Sequence, residues 1–118
     1  MTIIADGLVG LVALLHIYFL VLEMFLWDKP LGLRTFGNTL ESARATKTLA
    51  MNQGLYNGFL AAGLIWGLIV GAGGDAITIF FLGCVIIAGL FGGITASRKI
   101  LFVQALPALI ALSLVLLA

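Results

Sequence analysis

Charge is scarce in these 118 residues: six Lys and Arg and five Asp and Glu make up 9% of the chain and leave a formal net charge of +1. Soluble domains carry about 25% charged and about 45–50% apolar residues, so the 63% apolar content here excludes a water-soluble globular domain. High hydrophobicity with little net charge excludes disorder. Six basic against five acidic side chains supply no electrostatic footprint for nucleic acid. Cysteine is limited to Cys84 and histidine to His16, which excludes an internal disulfide framework and a zinc-type ligand spacing. What is plentiful is apolar residues, and beside them 15 glycines. The composition is that of a small integral membrane protein.

A membrane-crossing helix takes roughly 20 mostly apolar residues. Four stretches approach that length, at about 7–27, 49–70, 76–95 and 100–117. Residues 1–118 therefore read as one all-α transmembrane domain, a four-helix bundle. The first stretch has no basic region before it, is too long for a signal peptide, and ends at Trp27-Asp28-Lys29 instead of small residues; it is expected to stay in the protein. Lys29, Arg34, Arg44 and Lys47 fall between spans one and two, and Arg98 and Lys99 between spans three and four. All basic residues thus share one side, and the positive-inside rule places both loops in the cytoplasm and both termini outside. The localisation expected is multi-pass, in a bacterial cytoplasmic (inner) membrane, with Trp27 in the interfacial aromatic belt.

Asn38-Thr39-Leu40-Glu41 has the spacing of a capping box, which predicts that helix two begins near Thr39 and runs unbroken from the cytoplasm into the membrane. Asp75 is the expected cap of span three, after a Gly73-Gly74 turn. Gly54 and Gly58 form a GxxxG pair, Gly63, Gly67 and Gly71 extend a second face, and Gly89, Gly92 and Gly93 crowd the inner end of span three. Small residues let membrane helices approach closely. Packing within one bundle is the first use expected of them, and a homodimer the second. Pro107 removes the bond to the Val103 carbonyl and predicts a kink in span four.

Ionisable groups in hydrocarbon cost about 2.5–3.5 kcal/mol on insertion scales. His16 and Glu23 are seven residues apart, which on a helix puts them within about 20° of one face and about 10 Å apart along the axis. Asn52, Gln53, Tyr56 and Asn57 form a polar arc in span two, and Gln104 adds a polar group in span four. Counting about 1.5 Å per residue from Trp27, Lys47 and Lys99 places Glu23 about 6 Å deep. The same count puts Asn52, Gln53 and Gln104 at about 8–9 Å, and His16 and Asn57 at about 15–17 Å. These residues, with Arg98 at the rim, are the expected lining of a polar pocket open to the cytoplasm. Interhelical hydrogen bonding, worth about 0.6 kcal/mol each, is the competing use. A carboxylate adds little as such glue, which favours a site.

The runs His16-Ile17-Tyr18-Phe19 and Leu22-Glu23-Met24-Phe25-Leu26-Trp27 resemble the first segment of a bacterial family known as "domain of unknown function 1304". So do Ala50-Met51-Asn52-Gln53-Gly54-Leu55-Tyr56-Asn57-Gly58-Phe59-Leu60-Ala61, the stretch Phe80 to Gly83, and Ser97-Arg98-Lys99 with Val103-Gln104. The resemblance covers essentially the whole chain. It implies a small bacterial membrane protein and no settled activity.

The function expected is binding of a small or lipophilic molecule in the cytoplasmic-half pocket. One alternative is a membrane-embedded enzyme with Glu23 as general acid or base and His16 as its partner or proton relay. Another is an assembly partner of a larger membrane complex. No cofactor is specified by the residues: a single His16 supplies one haem ligand per chain, and Met24 or Met51 would have to be the other. The partners expected are the lipid bilayer and a lipophilic small molecule.

Overall fold

The computed structural model describes residues 2–118, and the described residues are helical with no strand. Helix α1 spans Ile3–Met24, α2 Pro30–Phe36, α3 Leu40–Ala45, α4 Lys47–Val70, α5 Asp75–Thr95 and α6 Leu106–Leu117, with a π-helical turn at Leu101–Ala105 leading into α6. Three of these, α1, α4 and α5, are long and apolar enough to cross a membrane; the apolar helical run Leu101–Leu117 is shorter. Only 28%, 28% and 22% of the apolar windows of α1, α4 and α5 are buried within the chain. Helices this apolar and this exposed need an apolar solvent around them.

The first helix begins and ends earlier than its hydropathy suggests. The Thr2 hydroxyl accepts from the Ala5 amide (3.1 Å), which caps the start and draws Asp6 into the first turn. At the other end the helix stops at Met24, and Phe25–Lys29 form a turn in which the Leu26 amide reaches the Val21 carbonyl (3.2 Å). Lys29 is extended before Pro30, as the residue preceding a proline is constrained to be. The expected limit at Trp27 was therefore too late.

The second membrane helix does not run unbroken from Thr39: α3 and α4 are separate helices. The N-cap of α3 is Thr39, whose hydroxyl accepts from the Ser42 amide (3.1 Å), so the cap is one residue later than the Asn38–Glu41 spacing indicates. The helix then breaks at Thr46 (φ −109°, ψ 8°). The Thr46 hydroxyl donates to the Ser42 carbonyl (2.9 Å) and accepts from Trp27 Nε1 (3.1 Å). This side-chain competition for backbone carbonyls bends helices.

Two compact units divide the chain. Residues 2–14 with 60–118 form one, and residues 15–59 the other. In the first, Ala5, Val9, Val12 and Ala13 of α1, Leu64 of α4, Leu82 and Val85 of α5, and Ala108, Ala111 and Val115 of α6 form the buried apolar core. Glycines set the helix separations within it. A Cβ on Gly67 would strike the Thr78 hydroxyl, and one on Gly63 the Phe81 ring. Gly71 does not extend that packing face. It ends α4 with φ +67°, and Gly73 (φ +88°) completes the turn. Gly74, not Asp75, is the N-cap residue of α5, and Asp75 is its first helical residue.

Gly89 faces Ala105 of the π turn, where a Cβ would lie 2.6 Å from the Ala105 amide nitrogen. Gly93 faces the Leu101 side chain. The packing use of these glycines is the one observed. The π turn closes with the Leu106 amide bonded to the Leu101 carbonyl, five residues back. It ends two residues before Pro107, whose ring would crowd the Val103 carbonyl in a regular helix. Widening the turn relieves that crowding, so the proline acts through a π turn.

Candidate functional site

The unit 15–59 holds most of the polar residues singled out from the sequence. Its frame is the C-terminal half of α1 and the N-terminal half of α4, brought close by Gly54 and Gly58. A Cβ on Gly54 would lie 2.6 Å from Met24 Cγ and 3.1 Å from Glu23 Cβ, and one on Gly58 2.7 Å from Leu20 Cδ1. The two glycines are one turn apart on α4, so the GxxxG pair is the face that α1 packs on.

That approach brings Asn57 to Glu23. The Asn57 amide nitrogen donates to Oε1 of the Glu23 carboxylate across the two helices. Glu23 lies in the last turn of α1, where the carbonyl ends of the helix disfavour a negative charge by about 0.3–1 kcal/mol. It is half-buried, with apolar Leu22 (0% exposed) beside it. A directed donor such as Asn57 offsets part of that cost. Counting residues along the helix axes places Glu23 and Asn57 at different levels. The count fails because α1 ends at Met24, so Trp27 is no longer on the helix axis from which distances were measured.

The other predicted residues are placed differently. His16 is fully buried, with its ring edge-on to Phe19 at 5.5 Å between centroids. Asn52 is exposed, and its amide nitrogen donates to the Thr48 carbonyl of its own helix (2.9 Å). Gln53 and Tyr56 are exposed. Gln104 is half-buried in the π turn, and Arg98 is exposed; both belong to the unit containing 60–118. Of the eight predicted site residues, the described contacts join Glu23 and Asn57.

Sequence reasoning missed a second feature of this unit, the tie that closes the loop between α1 and α4. Trp27 bonds Thr46, and Asp28 pairs with Lys47 (3.1 Å). Gly32 is packed so tightly on the Leu26 carbonyl that a Cβ would not fit, and the Trp27 and Phe36 rings meet in a tilted contact at 4.9 Å between centroids. The Lys47 ammonium, hydrogen-bonded to Asp28, holds that carboxyl below the usual range for an aspartate. The equal sequence separation of the two pairs is visible only once the register is known. Among the described residues no group of three His, Cys, Asp or Glu side chains converges.

The chain is similar over nearly its whole length to a curated protein whose name assigns it no role. It is 33% identical over 114 residues to "Uncharacterized protein YpaA" of Lactococcus lactis subsp. lactis (strain IL1403), covering 95% of this chain and 96% of the relative. No solved structure matches it. The family model described as "Protein of unknown function (DUF1304)" matches residues 10–116, and the chain belongs to that family.

Proposed function

We propose that this chain is a four-pass membrane protein in which Glu23 and Asn57 form the polar end of a binding site for a small lipophilic molecule. The hydrogen bond between them, joining two membrane helices, carries this proposal. Lipid and helix dipole both disfavour a carboxylate at this point. A stability role alone would be served as well by two amides. Glu23 remains partly accessible, so a hydroxyl or amine of a ligand can reach its second oxygen while the apolar body of the ligand stays in hydrocarbon.

The fourth pass in this reading is the helical run 99–117, shorter than the others but uninterrupted apart from the π turn. With every Lys and Arg in two alternate loops, the positive-inside rule gives N-out and C-out in a bacterial inner membrane. Single cysteines introduced at Thr35, Ser97 and Ala118 in a Cys84→Ala background test this. Thr35 and Ser97 should react with a membrane-impermeant maleimide only after lysis, and Ala118 in intact spheroplasts. Labelling of Ser97 and Ala118 from the same side would remove the fourth pass.

One observation favours a second reading, in which the pair only fastens helices. Gly54 and Gly58 already press α4 onto α1 at this level, and the Asn57–Glu23 bond would then specify their register. Native mass spectrometry from lipid nanodiscs separates the two. A bound small molecule present in the wild type and lost in Glu23→Gln supports the site. An unliganded wild type, with the same lipids and the same oligomer as the variant, leaves register fixing as the role.

A further inference from the structure

The segment between α1 and α4 is longer than a reversal of direction requires, and it is folded. Pro30 starts α2, Gly37 in the left-handed conformation (φ 68°) ends it, and the Thr39 cap starts α3. Trp27–Thr46 and Asp28–Lys47 close its base. A segment pinned at its base, leaving one membrane helix and entering the next, is held at the membrane surface.

Its outward residues have a repeated chemistry. On α2, Leu31 and Arg34 are three residues apart, and on α3, Leu40 and Arg44 are four apart, so each pair shares one helix face. All four are exposed, Leu31 by 39% and Leu40 by 42%. On α2 the buried Gly32 lies away from this face, and on α3 the buried Ala43 lies beside it. Among the described residues the Lys47–Asp28 contact is the ion pair found in this segment, so neither arginine is in direct contact with a carboxylate, although Glu41 stands three residues before Arg44 on the same helix. Counting Asp28 and Glu41 against Lys29, Arg34, Arg44 and Lys47 gives a net charge of +2 for the segment.

We propose that α2 and α3 lie on the bilayer as an anionic-lipid collar, with Arg34 and Arg44 each engaging a phospholipid phosphate and Leu31 and Leu40 entering the acyl boundary beside them. The guanidinium fork matches two phosphate oxygens, and an arginine next to an exposed leucine fits a headgroup with its attached chain better than it fits a soluble anion. Interfacial helices bind in this way, through apolar area together with attraction to anionic lipid. The inference is independent of the Glu23–Asn57 site, since neither arginine touches it.

The full chain in detergent, offered an equimolar mixture of phosphatidylglycerol and phosphatidylcholine, provides the test by native mass spectrometry. Phosphatidylglycerol should be retained preferentially, and Arg34→Gln and Arg44→Gln should each lower that preference by about fivefold. The preference should also weaken between 50 and 500 mM salt, as screening requires. Both arginines are exposed, so an unchanged circular dichroism melt is expected of the variants. Equal retention of the two lipids by the wild type overturns the collar, as does a preference that survives the double variant. Displacement of the lipid by millimolar inorganic phosphate assigns the arginines to a soluble anion and also overturns it. Loss of a dimer in the double variant, with lipid preference intact, would assign the face to a second copy instead.

Discussion

Gly89→Ala is expected to destabilise the protein by about 1–3 kcal/mol, while Gly83→Ala six residues earlier on the same helix is expected to stabilise it by about 0.5–1 kcal/mol. The chemistry of the two changes is identical. At Gly83 an added Cβ meets nothing within 4 Å, so the substitution only removes backbone freedom from the unfolded chain. At Gly89 the same Cβ would lie 2.6 Å from the Ala105 amide nitrogen and 2.9 Å from its Cα. Those are backbone atoms of the π turn and cannot swing aside as a side chain would. Thermal unfolding of both variants in one detergent reads the difference, and equal shifts of the same sign would mean that α5 and the π turn do not approach this closely.

The second large effect concerns the polar pair. Asn57→Leu should cost more stability than Glu23→Gln, by about 1–3 kcal/mol, because it leaves a half-buried carboxylate without its donor. Glu23→Gln keeps an oxygen that can accept from Asn57, and the loss should stay near the roughly 0.6 kcal/mol of an average interhelical bond. The two substitutions are expected to reverse order in binding. Glu23→Gln should abolish ligand retention in a protein that is still folded, and retention measured beside the melting curve distinguishes these outcomes.

Much of this was legible in the residues, for reasons that differ by element. The apolar runs gave α1, α4 and α5 to within a few residues, because length and hydropathy decide what can cross a bilayer. Gly54 and Gly58 were readable as a packing face, and Glu23 and Asn57 as polar groups out of place. What could not be read was the meeting of Glu23 with Asn57, since counting along the axis assumed that α1 continued to Trp27. The break at Thr46 was equally hidden. A threonine hydroxyl bends a helix only when its competing bond wins, and here an indole from 19 residues away adds to it. The π turn was foreshadowed by Pro107 but not specified by it, because a proline in a membrane helix can be accommodated in more than one way. Gln53, Asn52 and Tyr56 read as pocket residues for their polarity, yet the rotation of α4 that buries Gly54 and turns Asn57 toward Glu23 leaves those three exposed.

The pair at the centre of the proposed site can be tested on its own terms by a double-mutant cycle. Glu23→Leu, Asn57→Leu and the combined variant, unfolded under the same conditions in lipid nanodiscs, give the coupling between the two side chains. Direct contact across α1 and α4 predicts a coupling of about 1 kcal/mol or more, with the double variant less damaged than the sum of the single ones. Additivity within about 0.3–0.5 kcal/mol would mean that Glu23 and Asn57 do not hold each other in the membrane, and a binding site built on their contact would be contradicted.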